Sequence, residues 1–172
     1  MSSALAPEPV VVGDPLPSNP QAVVEAFLAA LADSDINTAG DLMATDIEYV
    51  NVGCPTIRGR ARVVKVLSGL ARPSFGFEVY LHAISADGPT VLTERTDVLT
   101  LGKLRLQFWV VGRFDVVDGQ ITLWRDAFDY VDILRSVVRG LGGLVVPTLR
   151  PAAPQSAATP PGRARIGRAA RS

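Results

Sequence analysis

The chain predicts an α+β fold: a cone-shaped, strongly curved, mostly antiparallel sheet with helices packed in its concave side. Helical periodicity is concentrated in the first half of the chain. The second half holds four long runs rich in β-branched and aromatic residues, "FGFEVYLHAISA", "TVLTERTDVLTL", "LRLQFWVVGRFDVV" and "QITLWRDAFDY". The pairs separating them, DG at 87–88, GK at 102–103 and DG at 118–119, suit tight hairpin turns, because Gly and Asp tolerate positive φ. Four long strands joined in this way form a curved meander, and a cone of that kind leaves a deep pocket at its wide end.

Taken in order, residues 1–18 are rich in proline and small residues and are expected to be disordered. A folded domain is expected over 19–148. In "SNPQAVVEAFLAALADSD", Ser18 or Asn19 caps a helix with Pro20 in its first turn and Val23, Val24, Phe27, Leu28 and Leu31 at helical spacing. A short helix over about Thr38 to Met43 leads into the strand "DIEYVNV". "GRARVVKVLSGLA" reads as a helix burying Val63, Val64, Leu67 and Leu70 and ending near Pro73. After the meander, Val131 to Leu141 forms a last helix carrying Leu134, Val137, Val138 and Leu141. Residues 149–172 make a Pro/Ala/Arg-rich tail, again expected to be disordered.

Composition narrows the function. With 172 residues, 48% of them hydrophobic, the chain is long enough for one domain with a substantial core. Its 17 basic and 17 acidic residues balance, so no general basic surface calls for nucleic acid or an anionic membrane. From Arg150 onward there are five arginines and no acidic residue, which leaves the part before it net negative by five. Cys54 has no second cysteine to pair with, and His82 is the one histidine, so neither a disulfide nor a Cys/His metal cluster is expected. Neither a signal-like h-region nor a membrane-length apolar run is present, and the expected location is cytoplasmic.

The polar residues of the strands carry the chemistry. Alternation puts Val91, Thr93, Arg95, Asp97 and Leu99 on one face of a strand, so an Arg-x-Asp pair interrupts an apolar surface. Trp124, Asp126 and Phe128 likewise share a face of the last strand, and Ile47, Tyr49 and Asn51 a face of the first. A buried carboxylate needs a partner, and the planar fork of Arg95 can take one on either side. Two carboxylates around one guanidinium carry a net negative charge unless one keeps a proton, which splits their ionisation into an acid and a base. Asp/Arg pairs also staple strands without doing chemistry; it is the conjunction of the three same-face motifs that favours a site. His82 and the two tryptophans are read as structural or pocket-lining, and Cys54 as a small, at least half-buried loop residue.

Together, "YVN", "LTERTD" and "LWRDAFD", with "TIRGR" and "QFWVVGRFDV", resemble the limonene-1,2-epoxide hydrolase family over roughly residues 20–147, most closely its mycobacterial branch. The resemblance implies the cone-shaped fold shared with nuclear transport factor 2. It also implies an Asp-Arg-Asp triad, with Asp97 as the acid that protonates the epoxide oxygen, Asp126 as the base that takes a proton from water, and Arg95 bridging them. Tyr49 and Asn51 match the family's remaining water ligands. A positioned acid and base open an epoxide in one step, with ring strain as driving force and no metal or cofactor required.

A wall of Leu99, Phe128, Trp124, Phe27, Leu28 and Leu31 calls for an apolar epoxide. The family is typically dimeric, and a homodimer is expected. Two alternatives share the fold: an isomerase or cyclase that stabilises an enolate, and a non-catalytic binding module. Arg95 disfavours the former, because enolate stabilisation in such sites uses neutral donors. The presence of all five polar positions disfavours the latter. The Ala127 position, aromatic in close relatives, and the tail are the departures from the family.

Overall fold

The computed structural model describes residues 19–69, 74–102 and 104–145. Helices α1 (Pro20–Ala32) and α2 (Ile36–Asp41) lead into strand β1 (Met43–Asn51), followed by β2 (Ile57–Arg58) and helix α3 (Arg60–Leu67). Strands β3 (Phe75–Asp87), β4 (Thr90–Leu101), β5 (Leu104–Val117) and β6 (Gln120–Phe128) then run to helix α4 (Tyr130–Val145). The six strands form one sheet in the order β2-β1-β6-β5-β4-β3. All neighbours are antiparallel except β1 and β6, so the first strand returns beside the last. The expected α+β architecture is the one observed.

Local chemistry accounts for most of the element ends. Asn19 Oδ1 accepts the Gln21 N–H at 2.9 Å and Pro20 occupies the first turn, so α1 starts where a cap and a pre-set φ coincide. The second helix lies earlier than its composition suggested. Asp35 accepts both the backbone N–H of Thr38, at 3.0 Å, and its hydroxyl, at 2.7 Å, which draws the helix start back to Ile36 and frees Met43 for β1. The β5–β6 turn has positive φ at both Asp118 and Gly119, 50° and 75°, the twist a two-residue hairpin needs. The β2 strand escaped notice because two residues carry no periodicity.

One face of α1 fills the concave side of the sheet. Val23, Val24, Phe27 and Leu28 are fully buried, in one core with Val91 of β4, Phe114 of β5 and Ile121 of β6. From α3, Val63 and Leu67 join this core and Val64 packs partly against it; Leu70 and Pro73 lie outside the described residues, as do residues 1–18 and the tail. The outlier is α4, whose Leu134, Val138 and Leu141 are 63%, 63% and 52% exposed, so its apolar stripe faces away from the cone. Strict alternation also fails in β3. The ladder with β4 pairs Leu81 with Arg95 and Ala83 with Glu94, leaving His82 as an extra residue. That bulge reverses the parity, so Val79, Leu81 and Ile84 face inward rather than Val79, Leu81 and Ala83.

Phe27 stands edge-on to Trp124 and Phe114, with ring centroids 5.0 and 6.2 Å away, and is fully buried. Phe27→Ala is expected to lower the free energy of unfolding by about 3–5 kcal/mol, checked by urea titration against the unsubstituted protein.

Candidate active site

Pleated alternation brings the polar residues of three strands to one wall of the cone. In the sheet, Asp126 of β6 lies directly beside Asn51 of β1, and Trp124 beside Tyr49. One strand further across, Gly112 of β5 separates Asp126 from Thr93 of β4. Arg95 and Asp97 follow Thr93 on the same face of β4, and a long side chain from there reaches across β5 to β6.

Arg95 makes that reach. Its Nε donates to Asp97 Oδ1 at 2.9 Å, its Nη2 to Asp126 Oδ2 at 2.6 Å and its Nη1 to Thr93 Oγ1 at 3.2 Å. All three partners are buried, and Arg95 itself is 1% exposed. Asp126 Oδ1 is buried with no partner among the described residues, an acceptor left open on a carboxylate that lines a cavity. The end of β1 is tied down beside it, because the Val52 N–H donates to the Asp126 carbonyl at 2.9 Å and the Tyr130 hydroxyl donates to the Val52 carbonyl.

The cavity has a volume of about 270 Å³. Its polar lining is Tyr49, Asn51, Asp97 and Asp126, and the rest is largely apolar. Of the six residues expected in the wall, Leu31, Leu99, Trp124 and Phe128 line it, whereas Phe27 and Leu28 do not and are fully buried in the core. Phe27 sits behind Trp124 in the core, because α1 turns that side chain into the sheet one turn before Leu31. Trp124 is the shared wall, stacked on Tyr49 at 4.1 Å on the cavity side. Phe77 of β3, Phe108 of β5, Val66 and Leu67 of α3 and Ile133 of α4 also line the cavity and were missed by the sequence reading. Period-2 counting signals Phe108, which shares a face with Val110, but which end of a strand faces a pocket is not a local property.

Burial governs the ionisation. It pushes the Asp97 carboxyl up to about 6; Arg95 opposes the rise and the negative charge of Asp126 adds to it. Burial by itself would lower the Arg95 pKa, but the two flanking carboxylates outweigh it and hold the guanidinium charged. The Tyr49 phenol is pushed up to about 12, chiefly by burial, and stays neutral. Away from this wall, His82 Nε2 lies 2.8 Å from Thr96 Oγ1. Cys54 is exposed rather than half-buried, because the loop after β1 turns outward at Gly53, with its sulfur 3.6 Å from the Tyr130 hydroxyl. Among the described residues, no group of three or more His, Cys, Asp or Glu is placed to hold a metal, and no helix is long and apolar enough to cross a membrane.

Comparison with known proteins bears on this geometry. The family model for the limonene-1,2-epoxide hydrolase catalytic domain matches residues 18–139. The epoxide hydrolase EphG of Mycobacterium tuberculosis is 51% identical over 127 residues, covering 74% of this chain and 85% of that protein. The structure of a limonene-1,2-epoxide-hydrolase-like enzyme from the same organism superposes with a TM-score of 0.71 at 50% identity, over 74% of this chain and 96% of that one. A Catenulispora acidiphila protein with a ketosteroid isomerase-like fold superposes with a TM-score of 0.60 at 18% identity, over 67% of this chain and 92% of its own, which speaks to the fold alone.

The raised Asp97 pKa has two measurable consequences. In a carboxyl-carbon NMR titration Asp97 is expected to titrate near 6, and Asp126→Asn, which removes the neighbouring negative charge, should move it down. Because the folded state holds this proton more tightly than the unfolded chain, the stability it contributes is fully present below the ordinary aspartate range and is lost as pH rises through about 6.

Proposed function

Since the chain belongs to the limonene-1,2-epoxide hydrolase family and is an epoxide hydrolase, we propose that it opens a lipophilic epoxide to a vicinal diol in a single step, without a cofactor. The observation that carries this reading is the buried guanidinium bonded to two carboxylates that line the same apolar cavity. Asp126, with its open Oδ1, is the base: it takes a proton from a water held also by Tyr49 and Asn51. The water oxygen forms a bond to one epoxide carbon as the ring C–O bond breaks. The electron pair of that bond goes to the ring oxygen, which takes the proton of Asp97. The product is a diol, with Asp126 protonated and Asp97 ionised, and returning one proton to Asp97 restores the starting state.

The electrostatics support this division of labour. A carboxyl raised to about 6 is a competent proton donor near neutral pH, whereas an ordinary exposed aspartate holds almost no proton there. Arg95 keeps its charge throughout, so it limits the repulsion between the two carboxylates while one proton passes between them. The apolar remainder of the wall, Leu31, Leu99, Phe108 and Phe128 among it, supports a terpene-, fatty- or sterol-like substrate. A homodimer in the cytoplasm completes the proposal: Val131, Leu134, Val138 and Leu141 of α4 and Trp109 and Val111 of β5 expose apolar surface that a second copy would cover.

Three outcomes test this. Purified protein given a panel of apolar epoxides in isotope-labelled water should yield diol carrying one labelled oxygen, and Asp97→Asn and Asp126→Asn should each abolish it; turnover that survives both substitutions would sink the mechanism. The wild-type kcat/KM should fall as pH rises through about 6, as Asp97 loses its proton. Small-angle scattering should give twice the chain mass, reduced to the chain mass by Leu134→Glu with Val138→Glu.

A further inference from the structure

Between Arg95 and the second carboxylate lies a lane one residue wide. In the ladder Thr93, Gly112 and Asp126 stand side by side on three strands, so the Arg95 side chain must pass over Gly112 to reach Asp126. A Cβ built on Gly112 would sit far inside contact distance of Arg95 Nη1, 2.6 Å from Thr93 Oγ1 and 3.0 Å from the Phe114 ring. Gly112 is not among the residues with positive φ, so any residue type can adopt its backbone, and what this position requires is room. Thr93 closes the other side: its hydroxyl accepts from Arg95 Nη1 at 3.2 Å and lies 3.4 Å from the Gly112 carbonyl oxygen.

We infer that Gly112 and Thr93 are positioning residues for the epoxide-opening reaction, a seat that sets the height and tilt of the Arg95 guanidinium so that it spans Asp97 and Asp126 together. The inference rests on the proposed pairing of those two carboxylates as acid and base. Neither residue touches the cavity; both act through Arg95. The guanidinium is a rigid plane held by three hydrogen bonds, so raising it over a methyl group at 112 cannot keep both carboxylate contacts.

The test uses the full chain as Gly112→Ala, Thr93→Val, Arg95→Lys and Arg95→Lys with Gly112→Ala, with limonene 1,2-epoxide as substrate. Gly112→Ala is expected to lower kcat about 100-fold, the scale of a 1 Å misplacement in a catalytic array, with KM within about twofold. Thr93→Val, which keeps the shape and loses the acceptor, should lower kcat about tenfold. In both, the Asp97 carboxyl should titrate higher than in the wild type, because the guanidinium that holds it down has moved. Gly112→Ala should also cost more in melting temperature beside Arg95 than beside Lys, since the shorter cation clears the lane.

Wild-type Asp97 titration in both variants, or an equal loss of stability from Gly112→Ala in the two backgrounds, including failure of both to fold, overturns the seat. Rescue of folding by Arg95→Lys supports it. The NMR titration needs no turnover, so a wild type that leaves limonene 1,2-epoxide unchanged counts against that substrate or the reaction and leaves the seat to be judged by Asp97.

Discussion

A permanent positive charge, Arg95, is carried into the wall of the cone at 1% exposure, and the sheet around it is arranged to meet that charge. Taking an ion of this kind out of water costs several kcal/mol even after relaxation. Here the cost is offset by two ionisable partners and a hydroxyl, each at hydrogen-bond distance. Two carboxylates and one guanidinium still leave a net negative charge in a region of low dielectric. The system resolves that by favouring a proton on one carboxyl, and burial raises Asp97 accordingly. The three side chains therefore set one another's charge.

The rest of the fold can be read as what holds this triad in a usable place. Long antiparallel strands fix Thr93, Gly112 and Asp126 in one row, and the parallel return of β1 adds Asn51 to it. Helix α1 packs an apolar face against the sheet, and Phe27 meets Trp124 there. Trp124 presents its other face to Tyr49 and thereby joins core to cavity. A cavity lined this way sets its polar groups, Tyr49, Asn51, Asp97 and Asp126, against an apolar remainder, the kind of lining that orients a largely apolar small molecule.

Shared architecture does not settle chemistry. The ketosteroid isomerase-like structure at 18% identity has the same cone, and what separates this chain from a bare scaffold is the buried Asp-Arg-Asp arrangement together with the 51% identity to an epoxide hydrolase. The face turned away from the cone carries a different message. The apolar stripe of α4 contributes little to the core and stays exposed at Leu134, Val138 and Leu141.

Local sequence determined a good deal. Strand period two put Arg95 and Asp97 on one face of β4, and Trp124 and Asp126 on one face of β6, because a pleated backbone leaves a side chain no other choice. Turn chemistry placed the hairpins to within a residue, the first turn falling at Gly88–Pro89 rather than Asp87–Gly88, and a cap with a proline placed α1, since these depend on residues within a few positions of one another. Tertiary structure decided what depends on distant chain segments. It placed a bulge at His82 that reverses the faces of β3, drew Phe27 behind Trp124 rather than into the cavity, and brought Phe77, Phe108 and Ile133 to the pocket from three separate elements. It also set the one-residue lane at Gly112, whose need for a glycine lies in the path of an arginine two strand positions further along β4 and one strand away. Periodicity reports which side of its own strand a residue takes; which atoms fill the space opposite is set by register and curvature, and those exist only once the sheet has closed around α1.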